Sequence, residues 1–168
     1  MRALFDVVRA LTYASVFIGV VLVLVPARLL SRSGMAPPPV IGVPQIAGIL
    51  LASIGGLLAL WCVLTFAVLG RGTPAPFDPP RRLVVRGPYR FVRNPMYLGA
   101  GLALAGAALY YRSAALATYA AIFVLLTHAL VVWYEEPTLR ATFGDEYESY
   151  CRRVARWWPS RSAGMARR

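Results

Sequence analysis

The stretch PMYLGAGLALAGAALYYRSAALATYAAIFVLLTHALVVWY, residues 95–134, decides the fold of this chain, because its single charged side chain is Arg112. The uncharged runs on either side of Arg112 contain 17 and 22 residues. About 20 helical residues cross a hydrocarbon core of about 30 Å. The runs therefore predict membrane helices at 96–111 and 114–134, and their short connection predicts an antiparallel hairpin.

Two more uncharged runs precede the hairpin, at Ala10–Ala27 and Ser33–Gly70. The second run is too long for one span, and the prolines at 37–39 and 44 shorten it, because proline is not tolerated inside a helix. We expect membrane helices at 5–26 and 45–69. The helix at 96–111 is the short one, and such helices tilt or thin the bilayer.

The region after the hairpin predicts one further helix, over Pro137–Trp158. Its apolar side chains recur at intervals of three and four residues, and Trp157 and Trp158 end it as interfacial anchors do. The predicted fold is an all-α integral membrane protein with about four transmembrane helices plus a C-terminal interfacial amphipathic helix. We divide it into a two-helix membrane region, 1–70, and a second region, 71–168.

The composition excludes several classes of protein. The chain is 58% hydrophobic and 15% charged, whereas soluble domains carry about 45–50% apolar and about 25% charged residues. Two cysteines do not make a disulfide scaffold, and with one histidine we expect no metal site. No lysine and no glycine-rich phosphate motif is present, so a nucleotide-binding sheet is not expected.

The net charge of +11 is the balance of 18 arginines and seven acidic residues. Under the four-span topology, fifteen of them fall on the side of the two termini and three on the other side. Such a bias places both termini in the cytoplasm, and we expect a multi-pass protein of a bacterial inner membrane. Because topology accounts for the charge, we expect membrane lipids as partners and no nucleic acid. The oligomeric state stays open.

Two clusters of polar residues could carry chemistry. The first covers 87–101, around Arg93 and Asn94. The second begins at Glu135-Glu136 and continues through Tyr147 and Tyr150 to Arg156 and Pro159. An antiparallel hairpin brings the two clusters to the same end of the bundle. Ionisable groups at membrane depth are costly and are usually functional, so this end is the predicted site.

Each feature also has a structural interpretation. Gly99 and Gly101 could serve close helix packing or let a flat ligand approach the backbone. His128 could bond to another helix or form a pocket wall. The glutamate pair could mark where a helix ends at Pro137, and the C-terminal helix could simply lie on the membrane surface.

Taken together, the two clusters resemble the isoprenylcysteine carboxyl methyltransferase and phospholipid methyltransferase superfamily of integral-membrane enzymes. The resemblance covers about residues 71–159. The matching residues are Gly87, Tyr89, Arg93, Asn94, Pro95, Tyr97 and Gly99, then Glu135 and Glu136, then Phe143, Gly144, Tyr147 and Tyr150.

The resemblance implies S-adenosylmethionine as the methyl donor. Glu135 would pair with the ammonium group of the donor, and Arg93 would bind its carboxylate. We assign catalytic roles to Arg93 and to Glu136, the latter as a candidate base. The remaining residues of the implied donor pocket are Tyr89, Asn94, Pro95, Tyr97, Leu98, Gly99, Gly101 and His128.

The acceptor is less defined. Many relatives have histidine where this chain has Asn94, and isoprenylcysteine enzymes carry an arginine shortly before the glutamates, where this chain has residues 131–134, VVWY. A membrane-partitioning acceptor is expected: a lipid, an isoprenoid thiol or carboxylate, a small thiol or an amine. The alternatives are a non-catalytic membrane scaffold or lipid-binding protein that retains the motif and, less favoured, a nicotinamide-dependent membrane reductase.

Overall fold

A computed structural model describes residues 12, 15–16, 18–65 and 83–159 of the chain. In these ranges the ordered elements are helices, and the one β-contact is an isolated parallel bridge between Val92 and Ala155. The predicted all-α class is confirmed for the described residues.

The described helices follow in chain order, and the segment 66–82 between two of them lies outside the described residues. The elements are a π-helical segment Ile18–Leu24 that continues into α1 (Val25–Arg32), α2 (Val43–Thr65), a 3₁₀ turn Gly87–Arg90, α3 (Pro95–Tyr111), α4 (Ala114–Leu130), a π-helical turn Val131–Glu135, α5 (Glu136–Phe143) and α6 (Asp145–Arg153).

Two helices are long and apolar enough to cross a membrane, Val43–Thr65 and the continuous helix Ala114–Phe143. Helix α3 has 17 residues, or about 25 Å at 1.5 Å per residue, which is shorter than the hydrocarbon core. Residues 5–11, 13–14 and 17 of the first predicted span and the end of the second, at 66–69, lie outside the described residues. The four-span count therefore stays a prediction.

The first helix does not end at residue 26, as the sequence predicts, but continues to Arg32. Pro26 lies in the first turn of α1, where a missing N–H does little harm. The π-helical segment Ile18–Leu24 runs directly into α1, and such segments occur inside longer helices.

Helices α2 and α3 pack with their backbones in contact. A Cβ atom on Gly55 would lie 2.5 Å from the backbone nitrogen of Ala103 and from the carbonyl oxygen of Gly99. A Cβ on Gly48 would lie 2.7 Å from the carbonyl oxygen of Gly106. Helices in lipid gain stability from such close approach, so these glycines hold the bundle together.

We therefore expect Gly55→Ala to destabilise the protein by about 1–3 kcal/mol, the usual effect of overpacking. Gly56→Ala is the matched control, because a Cβ at Gly56 meets nothing within 4 Å, and alanine favours helix by about 1 kcal/mol. Thermal unfolding in detergent measures both. Equal melting temperatures for the two variants would contradict the packing described above.

Helices α3 and α4 form the predicted antiparallel hairpin. Arg112 adopts the left-handed conformation, at φ 50°, and ends α3, while the Ser113 hydroxyl accepts a hydrogen bond from the Leu116 N–H and begins α4. The buried side chains of Leu104 and Phe123 belong to the core between them.

The last long helix does not end at Pro137. The helix continues through the π-helical turn to Phe143, and Pro137 lies just after that turn, where the pattern of backbone hydrogen bonds changes. It breaks at Gly144, at φ 50°, so the predicted single helix over Pro137–Trp158 is wrong.

Instead, α6 ends at Arg153 and an irregular segment follows, residues 154–159, which we call the strap. The apolar face of α6 is not free to lie on a leaflet, because Tyr147 and Tyr150 are buried against Leu83 and Leu139.

Candidate functional site

The start of α3 and the end of the π-helical turn meet at one end of the bundle, which we call the mouth. The Tyr97 hydroxyl donates a hydrogen bond to Glu135 Oε1, across 38 residues of sequence. Arg93 pairs with Glu136 from the same two segments. The hairpin thus brings the two polar clusters together, as its antiparallel geometry requires.

Glu136 is enclosed by arginines. Arg156 binds it through two hydrogen bonds, Nε to Oε1 at 2.6 Å and Nη2 to Oε2 at 3.0 Å. Arg93 Nη1 lies 3.1 Å from Oε1, and Arg140 Nη2 lies 3.5 Å from Oε2. The Glu136 side chain is 3% exposed. A buried carboxylate with this many charge-assisted bonds is strongly held in its ionised form.

Glu135, the adjacent residue, has a different environment. Successive residues of a helix point in different directions, and Glu135 faces Tyr97 rather than the arginines. Within the described ranges no guanidinium pairs with Glu135. Its carboxylate is half-buried and is therefore the acidic group of the mouth that is available to a cation.

Arg93 connects the mouth to α6. Its Nη1 atom, besides pairing with Glu136, lies 2.7 Å from Cys151 Sγ and 3.5 Å from the Tyr147 hydroxyl. The buried Nε atom has no hydrogen-bond partner among the described residues. Buried donors are rarely left unpaired, so this atom marks a place where the site is incomplete.

The strap supplies Arg156, which the sequence places in the second polar cluster but without an assigned role. Asn94 Nδ2 donates to the Arg156 carbonyl at 3.3 Å, and the Arg93 N–H donates to the Ala155 carbonyl at 2.9 Å. The hydrogen bonds to Glu136 raise the pKa of Arg156 above its ordinary value. No local pattern reveals this role, because the partners lie 20 and 62 residues away.

Tyr89 is buried beneath the mouth. Its carbonyl accepts a hydrogen bond of 2.6 Å from the Tyr150 hydroxyl, and its ring packs with Cys62 of α2. Burial raises the pKa of Tyr150 above its ordinary value, which keeps that hydroxyl a donor. Tyr89 thus connects the loop before α3 to α2 through its ring and to α6 through its carbonyl.

The other predicted pocket residues point in several directions. Gly99 faces α2, where a Cβ would lie 2.8 Å from the Gly55 carbonyl oxygen. Gly101 faces α4 and lines an apolar groove of about 850 Å³. Pro95 is fully buried and Leu98 is half-buried at the start of α3.

His128 lies on α4 two turns before Glu135. Its Nδ1 atom accepts a hydrogen bond of 3.1 Å from Trp157 Nε1. Trp157, in the strap, therefore bonds to α4, and its role as an interfacial anchor stays a prediction. Over the ranges that the structure describes, no three acidic, histidine or cysteine side chains gather as a metal site.

Comparison with known families decides what kind of protein this is. The sequence profile of the phospholipid methyltransferase family matches residues 43–146. The chain belongs to this family. The predicted superfamily is thereby confirmed, and with two long apolar helices the chain is a membrane methyltransferase. No curated protein sequence and no solved structure matches it. Arg156 and the rest of the strap lie beyond the matched residues.

Proposed function

We propose that the protein transfers a methyl group from S-adenosylmethionine to a membrane-partitioning acceptor, and that the donor binds at the mouth. The observation that carries the proposal is the contrast between two adjacent carboxylates. Glu136 is enclosed by three arginines, whereas Glu135 accepts a hydrogen bond from the Tyr97 hydroxyl and forms no ion pair with a described arginine. Among the described acidic groups of the mouth, Glu135 is therefore the one that can accept a cationic ligand. S-adenosylmethionine is such a ligand, because it carries a sulfonium and an ammonium group.

The residues present fit the polar groups of the donor. Glu135 would pair with the ammonium group. Arg93, Arg140 and Arg156 outnumber the two carboxylates that they contact, Glu136 and Glu148. The excess positive charge favours binding of the carboxylate of S-adenosylmethionine. The N–H at Arg93 Nε, which has no hydrogen-bond partner among the described residues, is available to bind that carboxylate.

The bound donor supplies a methyl group on a positively charged sulfur, which is open to in-line displacement. The chain contributes position, which is worth about 7–11 kcal/mol when two reactants are held in line. Glu135 and Tyr97 fix the donor at the mouth. We propose Glu136 as the anchor of the arginines rather than a base, because its ion pairs favour the charged form and make proton uptake unfavourable.

An apolar groove supports a lipid-like acceptor. It runs between α3 and α4, measures about 850 Å³, and is lined mainly by small side chains. It ends towards the mouth at Gly101 and Val124, about one helical turn from Tyr97. We propose that the acceptor places its apolar chain in this groove and its head group at the mouth, on the cytoplasmic side.

A transfer assay tests this function. Purified protein in vesicles of native lipids receives S-adenosylmethionine with a labelled methyl group, and lipid and aqueous fractions are analysed by mass spectrometry. The expected result is label in a lipid-soluble product, at a rate that falls at least about tenfold in Glu135→Gln. No product in any fraction, with folded protein, would favour a non-catalytic lipid-binding role.

A further inference from the structure

The strap is attached both to the segment before α3 and to α4. The proposed function uses the first attachment and gives no role to the second. On one side it bonds to the segment before α3, through the Ala155 and Arg156 carbonyls. On the other side Trp157 bonds to His128 on α4. We infer that the Trp157–His128 hydrogen bond is a latch that holds the strap, and with it Arg156, in position for donor binding. The donor part of this inference rests on the proposed function.

The latch is a specific contact. Trp157 Nε1 can only donate, so His128 Nδ1 must accept and carry no proton. The two rings lie 5.9 Å apart between centroids, tilted by 34°. The Trp157 ring also packs against the buried cluster that contains Tyr97 and Phe123. The indole thus joins the strap to the same core that places Tyr97 beside Glu135.

Arg156 connects the latch to the mouth. It precedes Trp157 in sequence, and its guanidinium makes the two-bonded contact with Glu136. Its carbonyl is the acceptor for Asn94 Nδ2. A shift of the strap therefore moves an arginine and an asparagine of the mouth together. His128 and Trp157 are positioning residues, and His128 is not proposed as a donor ligand, because Nδ1 is engaged by the indole.

The contacts on the other side do not replace the latch. They are two hydrogen bonds from 93–94 to 155–156, one isolated bridge, the ion pair of Arg156 with Glu136 and the burial of Val154 beside Tyr147 and Tyr150. All of them hold residues 154–156, and none of them holds Trp157 or the residues after it. Beyond Trp157 the chain leaves the core, with Trp158 79% exposed. Without the latch, the segment after Arg156 loses its one described hydrogen bond to the long helix. Such segments open locally at low free-energy cost.

Limited proteolysis measures the latch without any ligand. Trypsin cleaves after Arg156, and for a fast local equilibrium the rate follows the open population. Losing one hydrogen bond of ordinary strength corresponds to a roughly two- to tenfold increase in that population. We expect His128→Leu to accelerate cleavage at this bond by that factor, and His128→Gln, which restores an acceptor, to return towards the wild-type rate. Unchanged cleavage in His128→Leu would overturn the latch.

A double-mutant cycle tests the link to the mouth. We expect Trp157→Phe and His128→Leu each to raise the dissociation constant of S-adenosylhomocysteine roughly two- to tenfold, with the double variant no worse than either single variant. Trp158→Phe is the control and should leave affinity unchanged. Additive effects of the two changes, or equal effects of Trp157→Phe and Trp158→Phe, would overturn the inference.

The two experiments separate the latch from the proposed function. If the wild-type protein binds no S-adenosylhomocysteine and cleavage still accelerates in His128→Leu, the proposed donor fails and the latch remains as a feature of the strap. If the wild-type protein binds and neither cleavage nor affinity responds, the donor site stands and the latch fails.

Discussion

Glu135→Gln is expected to weaken binding of S-adenosylmethionine at least about 30-fold while the protein keeps its fold. The glutamine has the same shape and still accepts the hydrogen bond from Tyr97, but it removes the negative charge that would pair with the ammonium group. Truncating one partner of a hydrogen-bonded charge pair costs about 2–5 kcal/mol, and about 2 kcal/mol corresponds to this factor. Calorimetric titration of the detergent-purified protein measures the change.

The matched control for this variant is Glu146→Gln. Glu146 is exposed in the first turn of α6, and its replacement removes the same charge from the same chain. We expect its affinity to remain within a factor of two or so of wild type, since long-range effects of an exposed charge are screened. Equal weakening by both variants would mean that net charge, and not the position of Glu135, governs binding.

Glu136→Gln is expected to act on stability instead. Removing this charge leaves Arg93 and Arg156 without the carboxylate that they share. Breaking a buried ion pair in this way costs about 3–5 kcal/mol, because an uncompensated charge stays buried. Thermal unfolding in detergent should show a large fall in melting temperature for Glu136→Gln and a small one for Glu135→Gln.

The matched control for Glu136→Gln is Glu148→Gln. Glu148 also pairs with an arginine, Arg140, at 2.7 Å, but its side chain is 44% exposed. Exposed pairs contribute about 0–1 kcal/mol, so this variant should unfold close to wild type. If Glu136→Gln were as stable as Glu148→Gln, the role of Glu136 as an anchor would be wrong.

The hairpin could be predicted from sequence because its cause is local. Two uncharged runs separated by Arg112 leave few other arrangements in a membrane. Helix α3 begins one residue before its predicted start and ends at its predicted end. The same antiparallel geometry predicts that the start of α3 lies beside Glu135 and Glu136. The lengths of the uncharged runs likewise predicted the helical class.

The environments of the site residues could not be predicted, because they depend on packing between distant segments. Glu135 and Glu136 look alike in sequence, and only the direction of each side chain separates one from the other. Gly99 fits a ligand contact and a helix contact equally well until α2 is placed against it. Arg156 reaches the site because the chain turns at Gly144, between α5 and α6, and the strap then bonds to residues 93–94 before α3.

The end of the last long helix shows how a strong local signal can mislead. Pro137 predicts a helix boundary because proline lacks an N–H and clashes with the preceding turn. The π-helical turn just before it changes the register of the backbone bonds, so the helix continues to Phe143. Such turns are frequent at functional sites, and this one carries Glu135.

Photochemical labelling tests the central claim most directly. Purified protein is irradiated with S-adenosylmethionine and digested with trypsin, and the modified residues are assigned by fragmentation. The account predicts label at 94–97 and 133–135, the residues of the mouth, removed by excess S-adenosylhomocysteine. Label that competes in the same way but lies in α2 or at the Arg112 end of the hairpin would contradict it.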